Sequence, residues 1–239
     1  LEAAGLVLKI LRSDAAQGLT LNPEIDKDAW ADVDTFDGPL RLHSLKVAFS
    51  LKHSALFAAD IHLGKAASFR KLGVPVPAGT TEENLERLSA AINLFKPERL
   101  FILGDFIHAE SSHSPDLSDK LQNWRSSHQQ LELFLIRGNH DKKAGDPEAA
   151  LGIQSLDEPY RLGGLALCHH PQTLDGLTVL AGHIHPAVVL KGKGRTRMRL
   201  PCFHVQQGGI TFPSFGSFTG SYTITPQPGE SAIAVSPMN

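Results

Sequence analysis

Three observations predict an α/β fold for this chain. Apolar runs of strand length alternate with amphipathic helical stretches between about residues 55 and 138. Each run stops on a short polar cluster, and the strand ends of an open α/β sheet converge on one rim. Past residue 182 the helical period vanishes, leaving short strands separated by turns. The 239 residues suffice for one large domain with a full core, and 41% hydrophobic against 20% charged residues is ordinary for a globular chain. No run approaches the roughly 18 apolar residues of a membrane span, and no signal-peptide pattern opens the chain. No membrane association is therefore expected.

Residues 1–38 show no sustained period of 2 or 3.6 and form an unassigned N-terminal segment. Their acidic stretch, Glu24, Asp26, Asp28, Asp32, Asp34 and Asp37, lacks the glycine and distal glutamate of a calcium loop and reads as a solvated linker. A single domain is expected over 39–239. Leu40 to Leu51 and Ala55 to Ala59 form a hairpin pair leading to Asp60. Thr80 with Glu83 reads as a capping box, and Leu85, Leu88, Ile92 and Phe95 share one helical face. Pro97 closes that helix, and a strand runs to Gly104. Pro115 after Ser114 starts a second helix through Leu117, Leu121 and Trp124, and another strand reaches Gly138. The tail is expected as strands Ala187 to Lys191, Arg195 to Leu200, Phe203 to Gln206, Ile210 to Phe212 and Tyr222 to Ile224.

The polar clusters carry the chemistry. They read Asp60-Ile61-His62, Gly104-Asp105-Phe106-Ile107-His108, Gly138-Asn139-His140-Asp141, His169-His170 and Gly182-His183-Ile184-His185. Carboxylate, imidazole and amide ligands without thiolates suit divalent Mn, Fe or Zn. Two ions about 3.5–4 Å apart clamp a phosphoryl group and activate water. Such a centre needs roughly seven ligands, and Asp60, His62, Asp105, Asn139, His169, His183 and His185 supply them, with Asp105 the natural bridge. Within His169-His170, the first residue past the strand points inward and its neighbour away, which favours His169.

These motifs, in the order D-x-H, GD-x-x-H, GNHD, H and GH-x-H over Ala59 to His185, resemble the calcineurin-like metallophosphoesterases. The resemblance implies a four-layer αββα sandwich. It implies one ion on Asp60, His62 and His185, a second on Asn139, His169 and His183, and Asp105 between them. It makes His140 the acid that protonates the leaving oxygen, with Asp141 orienting it. A narrower resemblance rests on Ala59 to Arg70, Gly73 to Pro77, Leu200-Pro201-Cys202-Phe203 and Phe215-Gly216-Ser217-Phe218-Thr219-Gly220. These segments are similar to the ligase-associated DNA damage response endonucleases, the PdeM family, related to SbcD-type nucleases. That similarity implies a DNA substrate and association with an ATP-dependent DNA ligase and a helicase.

Substrate contacts admit more than one reading each. Lys65 and Arg70 follow the first ligand pair and either neutralise a phosphodiester or face solvent from a loop of small residues. His108 either contacts phosphate, supports a ligand from behind, or is structural. Arg195, Arg197 and Arg199 share one face of a strand and either grip a nucleic-acid backbone or solubilise an outer strand. The net charge of -2 gives no global nucleic-acid footprint. Cys168 and Cys202 read as reduced, buried thiols of a cytoplasmic protein. The expected function is a dinuclear phosphodiesterase, most simply a DNA nuclease. The alternatives are a phosphodiesterase for small nucleotides and a non-catalytic repair scaffold.

Overall fold

A computed structural model describes residues 7–12, 19–22, 30–76, 78–109, 114–191 and 197–235. In chain order the elements begin with β1 (Val7–Arg12), β2 (Leu19–Asn22), β3 (Trp30–Thr35), β4 (Gly38–His43), β5 (Val47–Ser50) and β6 (Ala55–Ala58). Helices and strands then alternate: α1 (Lys65–Lys71), α2 (Thr80–Phe95), β7 (Arg99–Leu103), α3 (Pro115–Ser126), β8 (Glu132–Ile136), α4 (Asn139–Ala144) and β9 (Ile153–Leu156). The rest is β: β10 (Tyr160–Leu162), β11 (Leu165–Leu167), β12 (Thr178–Ala181), β13 (Pro186–Lys191), β14 (Arg197–Gln206), β15 (Gly209–Thr211), β16 (Tyr222–Thr223) and β17 (Ser231–Val235).

Two sheets face each other. The first, in the order β3-β4-β5-β6-β7-β8-β9, is antiparallel as far as β6 and parallel from β6 to β9. The second runs β10-β11-β12-β15-β14-β17-β1-β2, with β13 branching from β14 and β16 pairing with β13. The central strands read as unbroken apolar runs because both their faces are covered. Leu56, Ala58, Leu100, Ile102, Leu133 and Leu135 pack toward Leu88 and Ile92 of α2 and Leu117, Leu121 and Trp124 of α3. The alternate residues Phe57, Ala59, Phe101, Leu103 and Ile136 pack against Leu165, Leu167, Leu180, Phe203 and Ile233 of the second sheet. Two smaller clusters, one around Val188, Leu200 and Cys202 and one around Ala166, Cys168 and Val179, cover the second sheet's other face. The α/β sandwich expected from the sequence is present.

Several local expectations are corrected. Leu40 to Leu51 is two strands, broken at a turn where Lys46 takes a left-handed φ of 64°. The α2 cap is Gly79 with no side-chain hydrogen bond, so Thr80 opens the helix and no capping box forms. Ser114 does cap α3, accepting from the Leu117 N–H at 3.2 Å. Residues 65–71 are a helix and not a loop, started by left-handed Gly64 and carried by Ala66 and Ala67. The tail strands expected on either side of Pro201 are one strand, β14, which pairs with β13 up to Pro201 and with β17 from Cys202.

The acidic stretch is not a linker where it is described. Asp32 lies in β3 and pairs with Arg41 of β4 at 2.9 Å. Asp37, in the β3–β4 turn, has a side chain only 4% exposed. Its Oδ1 accepts from the Gly164 N–H at 2.7 Å and from Lys52, and Oδ2 faces His53. One residue earlier, the Phe36 N–H donates to Thr178 Oγ1. The turn therefore staples the two sheets at the end where β6, β11 and β12 begin. Strands β1 and β2 add to the second sheet, while Glu24, Asp26 and Asp28 lie outside the described residues.

Candidate metal centre

The other end of the sandwich gathers the polar clusters. Strand β6 ends at Ala58 and β7 at Leu103, and their loops run on side by side: Asp60 N–H donates to the Gly104 carbonyl, His62 N–H to Asp105 and Leu63 N–H to Phe106. Asp60, His62, Asp105, His183 and His185 all take left-handed backbone conformations, with φ of 55°, 50°, 52°, 70° and 54°. That conformation costs an L-residue roughly 1–2 kcal/mol, and strain of this kind collects at functional sites. Glycines let these loops close: a Cβ on Gly104 would lie 2.0 Å from His169 Nδ1, and one on Gly182 2.4 Å from Asp60 Oδ2.

Each carboxylate is half fixed and half bare. Asp60 Oδ2 accepts from the His183 N–H at 2.8 Å, whereas Oδ1 is buried without a hydrogen bond among the described residues. That oxygen stands 3.5 Å from His185 Nε2 and 3.8 Å from His169 Nδ1. Asp105 Oδ1 accepts from the His140 N–H at 2.9 Å, and Oδ2 lies 3.8 Å from His62 Nε2. Both ring nitrogens of buried His62 lack hydrogen-bond partners among the described residues. Burial, reinforced by Lys65, pushes the His62 pKa down to about 2, so the ring is neutral and offers a lone pair.

Around His169 the same excess of acceptors appears. Its Nδ1 faces the Leu103 carbonyl at 3.2 Å, so that Nε2 carries the lone pair. That Nε2 lies 2.9 Å from Asn139 Oδ1 and 3.1 Å from His183 Nδ1. Asp105 sits between the two groups, its Oδ1 3.7 Å from His169 Nε2. Orphaned buried oxygens and nitrogens, converging without protons to share, fit divalent cations. Asp60, His62 and His185 bring ligand atoms within 4.8 Å of one another, as do Asp60, Asp105 and His169. Burial lowers the His183 pKa. It also opposes protonation of His185, but there the Asp60 carboxylate prevails and the pKa is raised.

Residues outside the five clusters hold these side chains. Glu158 accepts from the N–H groups of His169 and His170 at 2.8 and 2.9 Å and binds His170 Nδ1 at 2.7 Å. It thereby turns His170 away and His169 inward. The Gly220 carbonyl faces His185 Nδ1 at 3.0 Å, and Ser214, Phe215 and Gly216 hydrogen-bond to Ala59 and Asp60. Glu158 escaped the sequence reading because a lone glutamate in a turn carries no local pattern. The Phe215 to Gly220 signature was visible, but its purpose was not.

The expected role of Asp141 is corrected. Its carboxylate does not touch the His140 ring. It accepts from the N–H groups of Asp105, Phe106 and Gly138 at 2.7, 2.9 and 2.9 Å, clamping the loop that carries Asp105. The His140 ring is oriented instead by the His108 carbonyl, 2.6 Å from Nδ1, and stacks on the His108 ring. Burial, then Lys65, pushes the His108 pKa down to about 4. Lys65, at the start of α1, is close enough to feel Asp105 and Asp60, while burial lowers its pKa. Arg70 is in the last turn of α1 and exposed. Arg197 and Arg199 are exposed on one face of β14, and Arg195 lies outside the described residues.

The profile of the family described as calcineurin-like phosphoesterase matches residues 53–185. The chain is 41% identical to a solved structure, Pseudomonas putida nuclease MPE, at a TM-score of 0.75 over 84% of this chain and 94% of that one. Yfce, a phosphoesterase from E. coli, aligns at 16% identity and a TM-score of 0.36 over 77% of this chain and 99% of that one, too distant to carry an argument. No curated protein matches.

Proposed function

We propose, for a chain that belongs to the calcineurin-like phosphoesterase family, that the rim site is a dinuclear metal centre cleaving phosphodiester bonds in DNA. Metal-dependent phosphoester hydrolysis follows from the family; the two-ion count and the nucleic-acid substrate are our reading. Its support is the pair of buried carboxylates, each with one oxygen held by a backbone N–H and the other turned toward histidine nitrogens. Asp60, His62 and His185 would hold one ion and Asn139, His169 and His183 the other, with Asp105 shared. Such ions, Mn first and Fe or Zn as alternatives, supply the charge that polarises a phosphoryl group and activates water.

The chain's own residues do the rest. With Nδ1 engaged by the His108 carbonyl, His140 presents Nε2 to carry a proton to the leaving oxygen. Lys65 adds positive charge beside the carboxylates. Asp141 keeps the Asp105 loop in register. The likeness to a nuclease supports a nucleic-acid substrate, and the narrower PdeM resemblance supports DNA repair beside a ligase and a helicase. Two buried free thiols, Cys168 and Cys202, support a reducing compartment such as the cytoplasm; no described helix is long and apolar enough to cross a membrane.

Metal analysis of protein purified without chelator and reloaded with Mn should give two ions per chain, with both sites weakened in Asp105→Ala. One ion or none at saturation removes the dinuclear centre. Turnover on DNA, cyclic nucleotides and an aryl phosphodiester should favour DNA. Hydrolysis of the small esters alone would move the substrate to small diesters.

A further inference from the structure

A cavity of about 150 Å³ opens beside His185, between the β4–β5 turn, the β13–β14 ribbon and the 214–221 segment, and the chemistry above does not use it. Lys46, Arg199, Ser214, Ser217 and Ser221 line it together with His185. Its volume is several times the roughly 30 Å³ share of a water molecule.

Lys46 is the anomaly. It projects from a turn in left-handed backbone, and its ammonium makes no hydrogen bond or ion pair among the described residues. Burial, with the nearby charge of Arg87, lowers its pKa to about 8 against an opposing pull from Glu83. Glu83 is already engaged by Arg87 at 3.3 Å and by the Ser217 hydroxyl at 2.7 Å. Arg199 reaches over the cavity and donates to the Ser221 carbonyl. Cations therefore outnumber carboxylates around a space edged with hydroxyls. Lys46 is half-buried at the edge of this space, and an anion entering it would supply the counter-charge that Lys46 lacks among the described residues.

We propose that this cavity takes the phosphate next to the scissile one on a nucleic-acid strand. The assignment rests on the nuclease reading and adds to it a defined neighbouring position. Lys46 acts as a point charge, Arg199 offers its remaining planar donors, and the Ser221 hydroxyl donates to a remaining phosphate oxygen, the Ser214 and Ser217 hydroxyls being engaged by the Asp60 carbonyl and Glu83. His185 is a wall shared with the metal centre, so the two phosphates belong to adjacent linkages of one strand. Arg197, on the same face of β14 as Arg199, continues the basic path outward.

The test uses a single-stranded DNA oligonucleotide with one uncharged methylphosphonate linkage, the Mn-loaded full chain, and mapping of every cut. In the wild type, the linkage on one side of the neutral position should be cut about tenfold more slowly, the size of one lost charge-assisted hydrogen bond. The linkage on the other side should be cut as in the unmodified strand. In Lys46→Gln/Arg199→Gln the one-sided effect should vanish. In Arg199→Gln alone, an exposed strand position that leaves folding intact, it should shrink to roughly threefold. Each effect is a ratio within one protein, so it does not depend on the folded fraction. Equal cutting on both sides in the wild type, or an effect that survives the double substitution, overturns the assignment. Failure to cut the unmodified strand overturns the nuclease reading, and this assignment with it.

Discussion

Both ends of the sandwich hold buried aspartates, and they are finished differently. At one end Asp37 uses both oxygens, taking the Gly164 N–H and Lys52 on one and His53 on the other. At the opposite end Asp60 and Asp105 each keep one oxygen tied to a backbone N–H and leave the other facing histidines across 3.5–3.8 Å. Burial alone does not mark a functional carboxylate, since all three are buried. What separates them is whether the protein saturates the group or leaves valence over for something else.

Substitutions at the two ends should differ in what they cost, with the largest effect at the site. His140→Ala should lower kcat on DNA about 10²–10⁴-fold while metal content is retained. The defect should shrink on a nitrophenyl ester, whose leaving group needs little protonation. Loss of metal in parallel with activity would make His140 a ligand. Asp37→Ala should cost about 2–3 kcal/mol of stability, because Gly164, Lys52 and His53 lose a charged acceptor. Metal content should be unchanged, and denaturant unfolding checks the loss.

The same staple predicts a pH dependence. Burial raises the Asp37 pKa, but Lys52, the Gly164 N–H and His53 outweigh it and hold it below the ordinary 3.8. Its contribution is thus full above the unfolded value and fades as the pH falls through the folded one. The stability gap between wild type and Asp37→Ala should close in acid. The smallest effect is at Asp60. In metal-free protein Asp60→Asn keeps the acceptor for His183 but removes a bare buried charge, and should stabilise by about 1 kcal/mol. A loss as large as that of Asp37→Ala would erase the distinction between the two ends.

What the sequence disclosed follows the same division. Site residues follow their strands directly, so Asp60, Asp105, Asn139 and His183 could be placed by periodicity alone. The staple could not, because Asp37 and Gly164 stand 127 positions apart and an acidic run without a helical or strand period looks like linker. Asp141 was seen but misdirected: the pattern shows that it neighbours His140 and not that its oxygens turn back onto the Asp105 loop. Thr80 misled for a related reason, since a capping pattern cannot show that Gly79 has already turned the chain.

The 214–221 segment reaches back across more than 150 residues to hydrogen-bond Asp60 and to hold the ring of His185 through Gly220. On the ribosome, Asp60 and His185 are therefore made before the backbone that braces them. A nascent chain halted between His185 and Ser214 carries all the candidate ligands and none of this bracing. Synthesis of this segment thus doubles as the step that completes the bracing of the candidate centre.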